Sequence, residues 1–205
     1  FGEVNATKKF LEFCTQKEII IHYFNHYGYY VGSYYPREHY NSGYMIIQQA
    51  KFYIDYEKRL EIAKTFINGA YLNIRQVLNY YNNREVPLES YISSIEQLSE
   101  KISSVTTIEE LMGIEGNIRE CYYSTFDTIL RNQDFIFEKR SKQPPLNRLN
   151  ALISFGNTIL YTIILSEIYK THLDPRIGFL HTSNFRRFSL NLDIFNLSLF
   201  KKIKS

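Results

Sequence analysis

Cysteine is scarce in this chain: Cys14 and Cys121 are the only two, far apart and without any Cys-x-x-Cys spacing. That excludes a disulfide framework and a cysteine zinc cage, and it suits a reducing cytoplasm. A surplus of one charge is missing too. Lys and Arg total 24 against 21 Asp and Glu, for a net charge of +3, so a nucleic-acid partner is permitted but not demanded, and any such contact has to come from local patches. No basic stretch followed by an apolar core opens the chain, and no secretory leader is expected. Internal repeats and low-complexity tracts are also lacking. With 44% hydrophobic residues in 205, the chain can bury one good core or two modest ones, which sets disorder aside. Residues 149–166 carry no charge, the lower limit for a bilayer span. Asn150, Ser154, Asn157 and Thr158 interrupt this run, which reads as the buried central helix of a soluble bundle, and no membrane partner is expected.

The pattern of apolar residues changes along the chain. Asn5 is placed to cap a helix through Lys8, Phe10, Leu11 and Phe13. The β-branched run Ile19-Ile20-Ile21, the turn Asn25-His26-Tyr27-Gly28 and the extended run Tyr29-Tyr30-Val31-Gly32-Ser33-Tyr34-Tyr35 then read as a hairpin. From Ser42 the spacing becomes helical, and no proline interrupts it until Pro87. The expected fold class is therefore α+β: a small β-containing lobe over residues 1–37, then a mainly α-helical domain over residues 38–205.

Within the helical part, Thr107 and Glu110 form a capping box that predicts a helix from Ile108 toward Arg131. Gly113 and Gly116 lie inside it, each costing about 1 kcal/mol relative to alanine, so a close approach by another helix or a ligand is expected there. Pro144-Pro145 marks the next boundary. An apolar helix follows over residues 146–170, Asp174-Pro175 breaks it, and residues 188–200 restore apolar spacing.

Three side chains stand out chemically. Glu115 precedes Arg119 by four residues, the favourable order for an exposed ion pair. His181 follows Phe179 and Leu180, where a lone histidine is usually packed or hydrogen-bonded. Asp193 lies in the apolar stretch Leu190-Asn191-Leu192-Asp193-Ile194-Phe195 and needs a partner, because burying it unpaired is costly. Should the three meet, Glu, His and Asp make an open oxygen and nitrogen site for a hard divalent ion, Mn²⁺ or Mg²⁺. His22 and His26 lie on the aromatic hairpin without a carboxylate and read as structural or surface residues.

Four ordered strings carry a family resemblance. Gly113-Ile114-Glu115-Gly116-Asn117-Ile118-Arg119 resembles the Glu-Gly helix motif of the CRISPR-associated integrases, the Cas-one family. The run Arg140-Ser141-Lys142-Gln143-Pro144-Pro145-Leu146-Asn147-Arg148-Leu149-Asn150-Ala151-Leu152-Ile153-Ser154-Phe155-Gly156 is similar to that family's basic loop and central helix. Leu173-Asp174-Pro175-Arg176-Ile177-Gly178-Phe179-Leu180-His181 resembles the segment that delivers its metal-binding histidine, and Arg187-Phe188-Ser189-Leu190-Asn191-Leu192-Asp193 the helix behind it. The opening Phe1-Gly2-Glu3-Val4-Asn5 and the hairpin end look like its β-lobe.

The resemblance implies an N-terminal β-domain, mostly outside this sequence, and an α-helical catalytic domain. It implies a metal-dependent DNA endonuclease and integrase that inserts prespacer DNA into CRISPR arrays, a 3′-hydroxyl attacking a phosphodiester. Glu115, His181 and Asp193 would be its catalytic and metal residues, with Mg²⁺ or Mn²⁺ as cofactor. Arg140, Lys142, Arg186 and Arg187 would contact phosphates of double-stranded DNA. A homodimer, a Cas-two partner and a cytoplasmic location complete the expectation. Two positions depart from the family pattern. Gln143 replaces a common basic residue, and Asn196 stands where the family has a further acid, commonly its third metal ligand. An amide binds a hard cation more weakly than a carboxylate. The expectation is that an acid stands there in the intact protein, with Phe195 onward belonging to a later helix. The alternatives are a catalytically impaired DNA-binding scaffold of the same fold and a helical protein-interaction module.

Overall fold

The computed structural model describes residues 4–36, 42–142, 144–181 and 188–198. It opens with α1 (Lys8–Gln16), followed by an antiparallel hairpin of β1 (Ile21–Phe24) and β2 (Tyr30–Tyr34). Thr7, rather than Asn5, caps α1, its hydroxyl accepting from Phe10 N. Asn25 turns the hairpin: its side-chain oxygen accepts from Tyr27 N and Tyr29 N, and Gly28 takes the positive φ of +77° that the turn requires.

The helical part comprises α2 (Gly43–Ile54), α3 (Tyr56–Asn82), α4 (Glu89–Glu100), α5 (Ile108–Ser124), α6 (Phe126–Leu130), α7 (Arg148–Tyr169) and α8 (Ser189–Ser198). The capping box places the start of α5 as expected, with Thr107 Oγ1 accepting from Glu110 N at 3.2 Å. Its end comes earlier than Arg131. Thr125 is fully buried and returns its hydroxyl to Tyr122 O at 2.7 Å, a local bond that competes with helix continuation. The chain then restarts as α6 and leaves it at Arg131 with φ of +49°.

Two apolar clusters position everything else. The larger joins α3, α4 and α5 through Ile67, Ile74, Leu78, Ile95, Leu111 and Ile118, and it includes Leu180 from the segment before α8. The smaller joins α7 and α8 through Ile164, Ile168, Leu190 and Phe195, with Phe179 beside them. Residues 179 and 180 thus point into different clusters, which fixes the chain entering His181.

The expectation of a buried central helix is corrected at α7. By length and composition it is apolar enough to cross a bilayer, yet only 22% of that window is buried. Leu152, Phe155, Ile159 and Ile163 line an exposed face, because the hairpin and α8 cover only the opposite side. Contacts with the hairpin and its exit include Ser166 with His22, Tyr161 with Tyr30 and Tyr169 with Tyr35. α8 is continuous through Ile194, Phe195 and Asn196, so Phe195 onward is not part of a later helix.

Candidate functional site

The site is built around α8, whose seat depends on two glycines. A Cβ on Gly69 of α3 would lie 2.7 Å from Leu197 Cδ1, so this glycine lets the two helices touch. A Cβ on Gly178 would lie 2.5 Å from Ser189 C and 2.7 Å from Leu190 N, so only glycine lets the segment before His181 lie against the start of α8. Ser189 Oγ accepts from Gly178 N at 2.9 Å and donates to Arg176 O at 2.6 Å. Gln49 of α2 holds the same segment from another side through Asp174 N, Asp174 O and Ile177 O. Arg59 Nε donates to Phe179 O at 2.8 Å.

Asp193 completes that frame. It is 0% exposed and both of its oxygens are committed. Oδ2 accepts from Phe179 N at 2.6 Å and Leu180 N at 3.1 Å, while Oδ1 accepts from His181 N at 3.0 Å and lies 2.8 Å from His181 Nδ1. Three peptide donors and an imidazole answer the demand that a buried carboxylate makes. With Nδ1 turned to Asp193, the orientation of the ring is fixed and Nε2 is the nitrogen left to act. His181 remains 24% exposed.

One turn further along α8, Asn196 is 3% exposed and faces α5. Arg119 Nη2 donates to both Asn196 Oδ1 and Glu115 Oε1. The Glu115–Arg119 pair expected from its spacing is therefore real, but it is not a surface pair: the two side chains are 16% and 26% exposed. Its satisfaction is incomplete, because Arg119 Nε and Asn196 Nδ2 are buried without a partner among the described residues. Each such donor costs about 1–3 kcal/mol. Glu115 and Arg119 also line a cavity of about 10 Å³ between α3 and α5, on the scale of a single water.

α8 thus ties His181 to Asp193 directly and reaches Glu115 through Asn196 and Arg119. Among the described residues no three His, Cys, Asp or Glu side chains gather as a metal cage. The donors with capacity left are His181 Nε2 and the second oxygen of Glu115. Asn196 Oδ1 is shared with Arg119, and Asp193 is spent on the peptide. With Arg119 on both Glu115 and Asn196, these donors as they stand are closed to a hard cation. From the sequence, Arg119 reads as an ion-pair partner only, and Gly178 escapes notice, since its place in the chain is the one signal of a tight approach.

The basic candidates divide. Arg140 is occupied: its guanidinium donates to Ser141 O, to Asn150 Oδ1 at 2.9 Å and to Ser154 Oγ at 3.1 Å. The fully buried Asn150 also takes Ser141 N and gives to Lys139 O, so this pair fastens the basic loop onto α7. Tyr123, one turn beyond Arg119 on α5, lies near Arg119, Arg140 and Glu115, and burial raises the pKa of its phenol. Lys142 is exposed. Arg186, Arg187 and Gln143 lie outside the described residues. A Cβ added at Gly113 or Gly116 would meet nothing within 4 Å, so among the described residues no helix approaches them and the flank of α5 beside Glu115 is open. His22 is structural and His26 is an exposed surface residue, within the expectation for the pair. His22 bridges Ser33 and Ser166 at 2.5 and 2.6 Å, with burial lowering its pKa, and His26 stacks on Tyr27.

Comparison with known proteins follows the same lines. The family described as CRISPR associated protein Cas1 matches residues 1–202. A CRISPR-associated endonuclease Cas1 2 of Thermodesulfovibrio yellowstonii is 59% identical over 203 residues, covering 99% of this chain and 61% of that protein. A CRISPR-associated endonuclease Cas1 of Thermotoga maritima is 51% identical over 197 residues, covering 96% and 60%. The solved structure of a CAS1 protein from Thermotoga maritima superposes with a TM-score of 0.84 at 51% identity, over 96% of this chain and 61% of that one. A casposase bound to its integration product shares the fold, with a TM-score of 0.82 at 23% identity over 96% and 55%. The chain spans about 60% of the length of the curated relatives it matches. With that match running along nearly its whole length, the chain belongs to the CRISPR-associated Cas1 family.

Proposed function

We propose that this chain carries the catalytic part of a metal-dependent DNA integrase, in which residues 38–205 form the helical catalytic domain and residues 1–37 the end of a β-rich one. The reaction is phosphodiester exchange: a prespacer 3′-hydroxyl attacks a phosphodiester at the repeat boundary and the displaced 3′-oxygen leaves, so no nucleotide is consumed. The observation that carries this reading is the double use of α8, which orients His181 through Asp193 and meets Glu115 through Asn196 and Arg119.

Glu115 and His181 Nε2, with the carbonyl of Asn196, are the groups that would hold Mg²⁺ or Mn²⁺. Such an ion, when bound, polarises a phosphoryl oxygen and stabilises the attacking and leaving oxygens. The protein's own part is positional. Asp193 is a positioning residue that fixes the imidazole, and Gly178 with Ser189 fixes the chain that bears it. The open flank of α5 at Gly113 and Gly116 admits the DNA backbone beside Glu115. Lys142, with Arg186 and Arg187, supplies phosphate contacts that set the duplex in register without reading its sequence, and Arg140 shapes the loop that presents Lys142. Homodimerisation, a Cas2 partner and work in the cytoplasm belong to the same reading. They rest on family membership and on a likeness in fold to a chain of a Cas6-RT-Cas1–Cas2 complex.

Strand transfer of a labelled prespacer into a repeat-containing duplex tests it, using the full-length protein. Glu115→Ala and His181→Ala should each reduce product at least about a hundredfold, while salt-dependent DNA binding persists. Unchanged transfer by Glu115→Ala would refute the enzyme reading. A second reading, a DNA-binding scaffold with impaired chemistry, is favoured by the amide at Asn196 and by the neutralised Glu115. In that case the parent protein binds DNA but transfers no more than the two variants.

A further inference from the structure

We propose that Arg119 is a built-in competitor for the divalent cation, so that metal can use Glu115 and Asn196 only after the guanidinium has left them. This rests on the reading of Glu115 and His181 as one reacting site, and it adds a regulatory step to it. The same Nη2 donates to both Glu115 Oε1 and Asn196 Oδ1, two of the three groups assigned above to the cation. Glu115 is thereby neutralised, and Asn196 brings no charge of its own. A divalent ion arriving here meets a resident cation rather than an unpaired carboxylate, and like charges at contact distance repel strongly where water is scarce.

Arg119 is seated for charge and not for full hydrogen bonding. Its Nε is buried without a partner among the described residues, as is Asn196 Nδ2. Tyr123, one turn on along the same helix face, is a phenol, neutral at physiological pH without any help from its surroundings, so it offers no countercharge. Among the described residues Glu115 is therefore the one acid paired with the arginine, and the side chain, 26% exposed, has a way out past the open flank of α5. A DNA phosphate is the natural acceptor for a displaced guanidinium, which binds such oxygens in pairs. DNA and metal then bind cooperatively: duplex draws Arg119 outward, and the vacated carboxylate takes the ion. By linkage the coupling is reciprocal.

The test is Mn²⁺ binding to the full-length protein, read from the loss of the free-ion electron paramagnetic resonance signal, with and without a duplex. Arg119→Gln should bind Mn²⁺ about tenfold more tightly than the parent without DNA, a shift of about 1.4 kcal/mol. Duplex should tighten Mn²⁺ binding to the parent but not to Arg119→Gln. Glu115→Gln placed on top of Arg119→Gln should erase the gain. Arg119→Lys, which keeps the charge but cannot pair with a phosphate in the bidentate way of a guanidinium, should gain less, and it serves as the second variant if Arg119→Gln does not fold. Equal or weaker Mn²⁺ binding by both Arg119 variants overturns the proposal, as does an absence of Mn²⁺ binding in every protein. A tenfold gain without strand transfer would leave the competitor in place and refute the integrase reading, so the two failures are distinguishable.

Discussion

The two ends of one turn of α8, Asp193 and Asn196, solve the same problem in opposite ways. At Asp193 a buried carboxylate is surrounded by four donors, three of them peptide N–H groups, and nothing is left over. At Asn196, three residues on, a buried amide and a half-buried arginine share one contact and leave two donors unmet among the described residues. The first end is a fixed bracket for His181. The second is a junction whose parts can be rearranged at little cost. A helix that is rigid at one turn and under-satisfied at the next is suited to holding an imidazole in place while a neighbouring charge changes partners.

Breaking the rigid end should have the largest effect. Asp193→Ala leaves three peptide donors of the segment at residues 179–181 without an acceptor, and it should cost about 3–5 kcal/mol of stability in denaturant unfolding. Gly178→Ala should be of similar size, because its Cβ meets main-chain atoms that cannot yield. The loose end should tolerate change. Asn196→Asp should stay within about 1 kcal/mol of the parent, since Arg119 is already placed to receive the new charge. A cost above about 3 kcal/mol there would mean that the two ends are alike. Beside it, Gly116→Ala should stabilise the free protein by up to about 1 kcal/mol, because its flank is open, and should weaken DNA binding if the backbone of the duplex passes there.

The smallest effect concerns the hairpin. Burial lowers the pKa of His22, so its contribution to stability is full above the unfolded value near 6.5. That contribution is lost as pH falls from there through the lower folded value. Protection of the Ser33 and Tyr34 amides from hydrogen exchange should decline over that range in the parent and stay flat in His22→Gln, while α8 shows no such decline.

Much of this fold is legible in the sequence because local rules agree with the outcome. Thr107 and Glu110 mark the start of α5, Asp174-Pro175 the end of the apolar helix, and Asn25 with Gly28 the hairpin turn. The start of α1 is ambiguous because Asn5 and Thr7 are both good caps, and only the fold selects between them. The end of α5 is hidden because Thr125 stops it with a hydroxyl bond that spacing does not reveal. At the site, the apolar surroundings of Asp193 announce that it needs a partner, but the partners are mostly peptide groups, which carry no sequence label. Glu115 and Arg119 are visible as an i, i+4 pair. That Asn196, far along the chain, shares the same guanidinium follows from the seating of α8 on Gly69 and Gly178, a tertiary fact. The exposed side of α7 is illegible because an uncharged run looks the same whether it faces a core or not.

Whether a metal ion takes the place of Arg119 beside Glu115 is read most directly from a crystal of the full-length protein with Mn²⁺ and duplex DNA, recorded at a wavelength where manganese scatters anomalously. The expected result is a single strong peak bonded to a Glu115 carboxylate oxygen and to His181 Nε2, with Asp193 still on the peptide of residues 179–181 and Arg119 moved to a phosphate. Manganese bound to Asp193 in place of Glu115, or Arg119 still bridging Glu115 and Asn196 beside a bound ion, would contradict it.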